Sequence, residues 1–255
     1  MRKLILTLFI LTPLFVPQVI AQTSPYTDYQ YQLDQYRKNY AQFVLLKKDY
    51  LNNNTLDNEQ KALLAVESTI KSRELTMFSF AQMHKLSILE TESAGPLIDS
   101  TIGSIEAINA YYTQQAGLAS SIQTKKDLAK FTADYREKLA QNQAIIDVAQ
   151  VVNKVARLQQ LNRQVIAEFD AIQPKLGTNR DIVLVQSALE EISGYQAKIT
   201  AEFENTDKLI ESVKANYFYR TEALTKIAKS ISTIRDYEAR CVDRLIDLDK
   251  NYVDR

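Results

Sequence analysis

One apolar seam runs through the C-terminal third of the chain, from Ile182 to Tyr252, with its residues spaced alternately three and four apart. Seventeen of its twenty-one positions are apolar, and the exceptions are Gln196, Thr206, Arg220 and Glu238. A seven-residue repeat keeps one stripe facing a partner only if the helix supercoils, so the seam predicts a coiled coil or a long bundle helix. One continuous helix over these residues would be roughly 110 Å long.

We expect this final helix to be continuous. The alternative is a break near Asn205-Thr206-Asp207, where residues that favour helix N-termini precede Leu209. In the continuous form, about 25 residues from Lys229 onward extend beyond the preceding helix and need another apolar surface to cover them.

Glycine and proline are scarce, at five residues each, and their positions divide the rest of the chain. Pro25, Asn52-Asn53-Asn54, Gly95-Pro96 and Pro174–Gly177 favour helix starts, ends or turns. Four further helices are therefore predicted, over about 25–51, 56–93, 97–121 and 124–173. Thr124 and Asp127 resemble a capping box at the start of the last of these.

No segment alternates strictly between apolar and polar residues, so strands are not expected. The sequence predicts an all-α, elongated antiparallel bundle or coiled coil of about five long helices. Residues 22–122 are expected to form N-terminal helical hairpins, and residues 123–255 a long coiled-coil hairpin. Both are expected to belong to one continuous helical domain.

The N-terminus has the pattern of a secretory signal peptide. Arg2 and Lys3 precede an apolar run over 4–16, and small residues follow up to Ala21. We expect cleavage near Ala21 and a secreted, periplasmic or otherwise extracytoplasmic mature chain. The alternative is an uncleaved N-terminal anchor, which would be the only membrane contact.

Charge and cysteine content exclude further classes of protein. Removing the signal segment takes two of the 31 basic and none of the 31 acidic residues, so the mature chain is nearly neutral. No basic run is present to follow phosphates, and nucleic acid is not an expected partner. Cys241 is the only cysteine, so no intramolecular disulfide can form.

No catalytic, cofactor-binding or metal-binding residues are predicted, and we expect the protein not to be an enzyme. His84 is the only histidine and lies on an apolar helix face, where a partly buried ring bonded within the bundle is expected. One histidine cannot supply the paired motifs of a di-iron bundle or a histidine cluster for zinc. Glycine-rich phosphate loops are absent from the sequence.

Two features of the sequence indicate residues that contact a partner. The chain has 14 tyrosines and no tryptophan, and Tyr31, which lies off the seam of the first helix, is proposed with Tyr219 and Arg220 as a contact surface for a partner. Cys241 would face its own copy in a parallel homodimer joined through the C-terminal seam, and an interchain disulfide could form there. The alternative is that Cys241 is a small apolar core residue.

These observations favour an exported, non-enzymatic helical scaffold or adaptor that binds protein partners in the cell envelope or outside the cell. The alternative is an extracytoplasmic ligand-binding or sensory bundle, or a secreted, membrane-active helical effector. The sequence identifies neither the partner nor the ligand, because heptads are too general to carry a function.

Overall fold

The computed structural model of the protein describes residues 24–216, 218 and 220–253. These residues form an all-α fold, as predicted, and include no strand. The predicted signal segment and Tyr219 lie outside the described residues. The helices are α1 (Pro25–Asn52), α2 (Leu56–Leu89), α3 (Pro96–Leu118), α4 (Lys125–Ile172), α5 (Val183–Ala215) and α6 (Arg220–Tyr252).

Polar side chains cap the starts of α1, α2 and α4. Ser24 and Thr55 each accept a backbone N–H three residues further on, at 3.2 Å. At α4, the Asp127 backbone donates to the Thr124 hydroxyl at 3.2 Å, and the Thr124 backbone donates to the Asp127 carboxylate at 2.9 Å. These bonds satisfy N–H groups that have no partner inside a helix, and the predicted capping box is confirmed.

The turn between α4 and α5 also follows the prediction. It is a 3-10 segment, Gln173–Asp181, interrupted at Gly177, where φ is 50° and ψ is −127°. Glycine accepts this backbone conformation because it has no Cβ. Leu176 is fully buried beside it and anchors the turn to the core.

The predicted continuous C-terminal helix is wrong. The chain reverses between Ala215 and Arg220, and α6 packs antiparallel against α5. Arg244 donates to the Glu191 carboxylate at 2.8 Å, and the Cys241 sulfur lies 4.0 Å from the Ile192 carbonyl oxygen. The two halves of the apolar seam face each other, so the seam is covered within one chain.

The structure also differs from two related expectations. The break is not at Asn205–Asp207, because Thr206 is buried inside α5 and its hydroxyl donates to the Glu202 carbonyl at 2.8 Å. Residues 123–255 hold three long helices instead of one hairpin. Each of α5 and α6 has 33 residues and is therefore roughly 50 Å long, so no 25-residue overhang remains.

The environment of α4 changes along its length. From Phe131 to Ala156 it packs against α2 and α3 as well as against α5 and α6, and we call this part of the bundle the covered region. From Leu158 to Ile172 its apolar neighbours come from α5, α6 and the turn at Leu176, and we call this part the open region. The helix α1 packs mainly on α2 and has no buried residue, and its Phe43 packs against the cluster around Phe131.

Candidate functional site

The strongest candidate site is a groove between α4 and α6 in the open region, with a volume of about 550 Å³. Val165 and Leu245 form its buried floor, at 4% and 8% exposed. Leu161 and Ile246 form its lips and are 41% and 46% exposed. Large apolar side chains that stay this accessible beside a buried floor are typical of surfaces that bind another molecule.

The rim of the groove is charged in both signs. Glu168 comes from α4, Lys175 from the turn, and Asp249 and Lys250 from the last turns of α6. Two acidic and two basic groups leave the rim without a net charge. The groove therefore does not select a strongly anionic or cationic ligand, whereas a polypeptide with mixed charges fits it.

The groove results from apolar stripes that are wider than the internal packing needs. On α4, Leu158, Val165 and Ile172 face α5 and α6 inside the bundle. Leu161 lies beside this stripe and lines the groove. On α6, Ile246 extends the stripe of Leu245 in the same manner, so the two helices together present an apolar channel.

A second cavity, of about 260 Å³, lies between α1, α2 and α4. Its wall is largely aromatic, with Tyr36, Phe131 and Tyr135 among its residues. The Arg73 guanidinium lies 3.9 Å from the centre of the Tyr135 ring and pairs with the buried Glu74 carboxylate. Burial raises the pKa of Glu74, and Arg73 opposes that rise.

The structure separates the residues that were predicted to form a contact surface. Tyr31 is 60% exposed on α1, which packs on α2. Arg220, in contrast, binds α4: its side chain lies 3.4 Å from the Asp147 carboxylate and donates to the Ala140 carbonyl at 3.4 Å. Arg220 thus fixes the start of α6, and the described residues give no common surface with Tyr31.

Cys241 is fully buried between α5 and α6. Burial, followed by the nearby Glu238 charge, raises the pKa of its thiol to about 11. Because α5 occupies the seam that a second copy was expected to cover, an interchain disulfide would require α5 and α6 to separate. The homodimer remains a prediction that other measurements must test.

His84 bonds within the bundle, as the sequence indicated. Its Nδ1 lies 3.2 Å from the Asn153 amide nitrogen, and its ring meets the Phe80 ring edge-on with centroids 4.7 Å apart. Burial, then the charge of Lys154, lowers the pKa of the imidazole. Within the described residues, no group of three or more His, Cys, Asp or Glu side chains is arranged to hold a metal ion.

Sequence reasoning missed the groove. Its apolar residues were placed in helices but not recognised as a surface, because the predicted overhang left no way to pair α6 with α4. The exposed pair Leu161 and Ile246 could have been found as apolar residues just outside each helix's core stripe.

Comparison with known proteins finds no relative from which a function could be transferred. No family model matches the chain, and neither a curated protein nor a solved structure matches it. Among the described residues, no helix combines the length and the hydropathy that crossing a bilayer requires.

Proposed function

We propose that the protein is an exported, non-enzymatic helical adaptor whose α4–α6 groove binds an amphipathic helix of a protein partner. The observation that carries the proposal is the channel itself, with a buried floor at Val165 and Leu245 and accessible lips at Leu161 and Ile246. Export rests on the predicted signal segment and belongs to the same proposal.

A helix is the occupant that best matches the shape of the groove. Two helices packed side by side leave a straight channel that accepts a third helix lying along them. The α4 wall runs from Leu161 to Ile172, which is roughly 17 Å or three helical turns. A partner helix would therefore contribute apolar residues at positions i, i+3 or i+4, and i+7.

The covered region supplies an internal precedent. There, α2 and α3 lie along α4 and bury Ile146 and Val152 to 1% exposure. A partner helix in the groove would give the open region the same kind of cover. Burying a fully exposed leucine or isoleucine contributes roughly 1.5–3 kcal/mol. Leu161 and Ile246 are less than half exposed, so each would contribute roughly half of that, and the buried floor would add little.

Site-specific photocrosslinking tests the adaptor function. A photoreactive residue replaces Ile246 in the groove and, in a matched control, the exposed Ser232 on the same helix. In cells of the source organism, we expect one dominant protein adduct from position 246, absent from position 232 and lost when Leu161→Asp is added. Adducts of equal yield at both positions, or none at 246, would refute the proposal.

The aromatic cavity supports a second candidate function, which is ligand binding by a sensory bundle. Aromatic walls and a guanidinium suit an aromatic ligand that carries an anionic group. The chain has no tryptophan, so its intrinsic fluorescence comes from tyrosine. Quenching by benzoate or phenyl phosphate that is lost in Tyr135→Leu would favour this function over the adaptor.

A further inference from the structure

The open region contains one polar layer inside an otherwise apolar three-helix core. On α4 the core positions follow a three-four spacing that includes Leu158, Asn162 and Val165. The corresponding polar core positions are Gln196 on α5 and Glu238 on α6. Each helix thus contributes one polar side chain where its neighbours in the spacing are apolar.

Contacts between the helices put the three side chains at one level. The Cys241 sulfur lies 4.0 Å from the Ile192 carbonyl oxygen, and the Tyr195 and Tyr237 rings stack with centroids 5.7 Å apart. Because the helices are antiparallel, Gln196, one turn after Ile192, and Glu238, about one turn before Cys241, lie at the same level. On the α4 side, Val165 lines the groove together with Val242. Asn162 and Glu238 precede these two residues by about one turn.

Four polar atoms of this layer are buried without a hydrogen-bond partner. Both carboxylate oxygens of Glu238, the Gln196 amide nitrogen and the Asn162 amide oxygen are buried and unpaired. Glu238 is only 1% exposed. A buried carboxylate without a counter-charge is strongly unfavourable, whereas a protonated carboxyl can donate to an amide oxygen in the layer.

The charged and titratable groups around Glu238 do not supply a close counter-ion. On α6, Arg235 lies one turn away and is exposed, and Cys241 is a buried thiol. On α5, Lys198 lies over the Tyr195 and Tyr237 rings. On α4, Arg163 donates to the Thr91 carbonyl at 2.8 Å.

We propose that this layer is a proton-sensitive switch: the neutral Glu238 carboxyl holds α4, α5 and α6 together, and its ionisation loosens the open region. The switch needs no partner and does not depend on the adaptor function. Burial raises the pKa of Glu238 to about 7, against an ordinary value of 4.5, and Arg235 reduces the rise only in part.

The sign of the effect follows from the proton count. Between pH 4.5 and about 7 the folded layer keeps a proton that the opened layer releases, so closure weakens as the pH rises. Stability from the neutral carboxyl is complete below pH 4.5 and is lost once the pH passes about 7. Across this window the opening equilibrium should increase on the order of 100-fold.

Cys241, one turn from Glu238, provides a built-in reporter of opening. We would measure its modification by dithiodipyridine in the full chain from pH 5 to pH 8, relative to the urea-unfolded chain at each pH. The relative rate should increase on the order of 100-fold with pH in the wild type and stay nearly constant in Glu238→Gln. Asp236→Asn, at an exposed site two residues away, should behave like the wild type.

A second measurement needs no substitution at the layer. Carbon-13 NMR titration of the Glu238 carboxyl in the folded wild-type chain should give a midpoint well above 4.5, near 7. A midpoint near 4.5 would overturn the proposal. So would the same pH dependence of Cys241 reactivity in the wild type and in Glu238→Gln.

Discussion

The covered and open regions share the helix α4 but differ in how many helices surround it. In the covered region, Ile146 is 1% exposed and belongs to a buried cluster that includes residues of α2, α3, α5 and α6. In the open region, Leu161 lies on the same helix and is 41% exposed, because α2 and α3 do not extend over it. The number of neighbours, and not the hydrophobicity of the helix, decides which apolar residues become core and which become surface.

Buried carboxylates show the same contrast. Glu74, in the covered region, pairs with Arg73, whose guanidinium also contacts the Tyr135 ring. Glu238, in the open region, has two unpaired oxygens. Glu74 thus has a counter-charge beside one oxygen, although its Oε2 has no hydrogen-bond partner, whereas neither oxygen of Glu238 has one.

The largest expected difference in the free energy of unfolding is between substitutions in the covered and open parts of α4. Ile146→Ala should lower the free energy of unfolding by about 2–5 kcal/mol, because it leaves a cavity in a closed core. Leu161→Ala, on the same helix, should cost less than about 1 kcal/mol, since its side chain is already accessible. Urea unfolding of both variants checks this, and equal losses would remove the distinction between the regions.

Removing the ion-pair partner of Glu74 should have the next largest effect on stability. Arg73→Leu should cost about 2–3 kcal/mol at pH 8, because Glu74 keeps a buried charge without its partner. The cost should decrease as the pH falls, since the raised pKa of Glu74 lets this carboxyl take up a proton more readily than an ordinary one. Arg37→Leu, which removes an exposed pair with Asp34, is the matched control and should cost less than about 0.5 kcal/mol.

Replacing the unpaired carboxylate should have the opposite sign. Glu238→Leu should stabilise the chain by about 1–3 kcal/mol at pH 8, where the wild-type carboxylate is ionised and buried. The gain should shrink toward pH 5, because the wild-type group is then protonated. Thermal unfolding at both pH values checks the prediction, and a loss of stability at pH 8 would contradict it.

Substitutions at the helix caps should have the smallest effects on stability. The start of α4 has a capping box, so Thr124→Ala should cost about 1 kcal/mol. The start of α5 has Ile182 at the cap position and no side-chain cap bond. Ile182→Ser should therefore stabilise the chain by up to about 0.5 kcal/mol, and a loss of stability would contradict this. Chemical unfolding of the two variants measures these differences.

Much of the fold could be predicted because the helix ends of α1 to α4 carry local signals. Ser24 and Thr124 cap helix starts, and Gly177 adopts a positive φ in a turn. Each of these roles depends only on residues within about one helical turn. The reversal between α5 and α6 has one weaker signal, Asn216, whose side-chain oxygen accepts from the Phe218 backbone N–H at 3.1 Å. No glycine or proline lies between Lys214 and Arg220, and the three-four spacing continues across the turn without a change of phase.

The candidate site could not be predicted for a related reason. The sequence marks Gln196 and Glu238 as polar positions in the seam, but only the hairpin puts them opposite each other. Asn162 joins them through the packing of α4, which no local pattern specifies. The groove likewise depends on where α2 and α3 stop, a three-dimensional property.

The α5–α6 hairpin is the claim on which the groove and the polar layer both depend. Spin labels at Ser187 and Asp247, both exposed, in a Cys241→Ala background test it by pulsed electron resonance. Packed helices lie 8–10 Å apart, so the labels should show a separation of roughly 15–30 Å. A continuous helix would hold these positions roughly 90 Å apart, and the absence of the short distance would contradict the account.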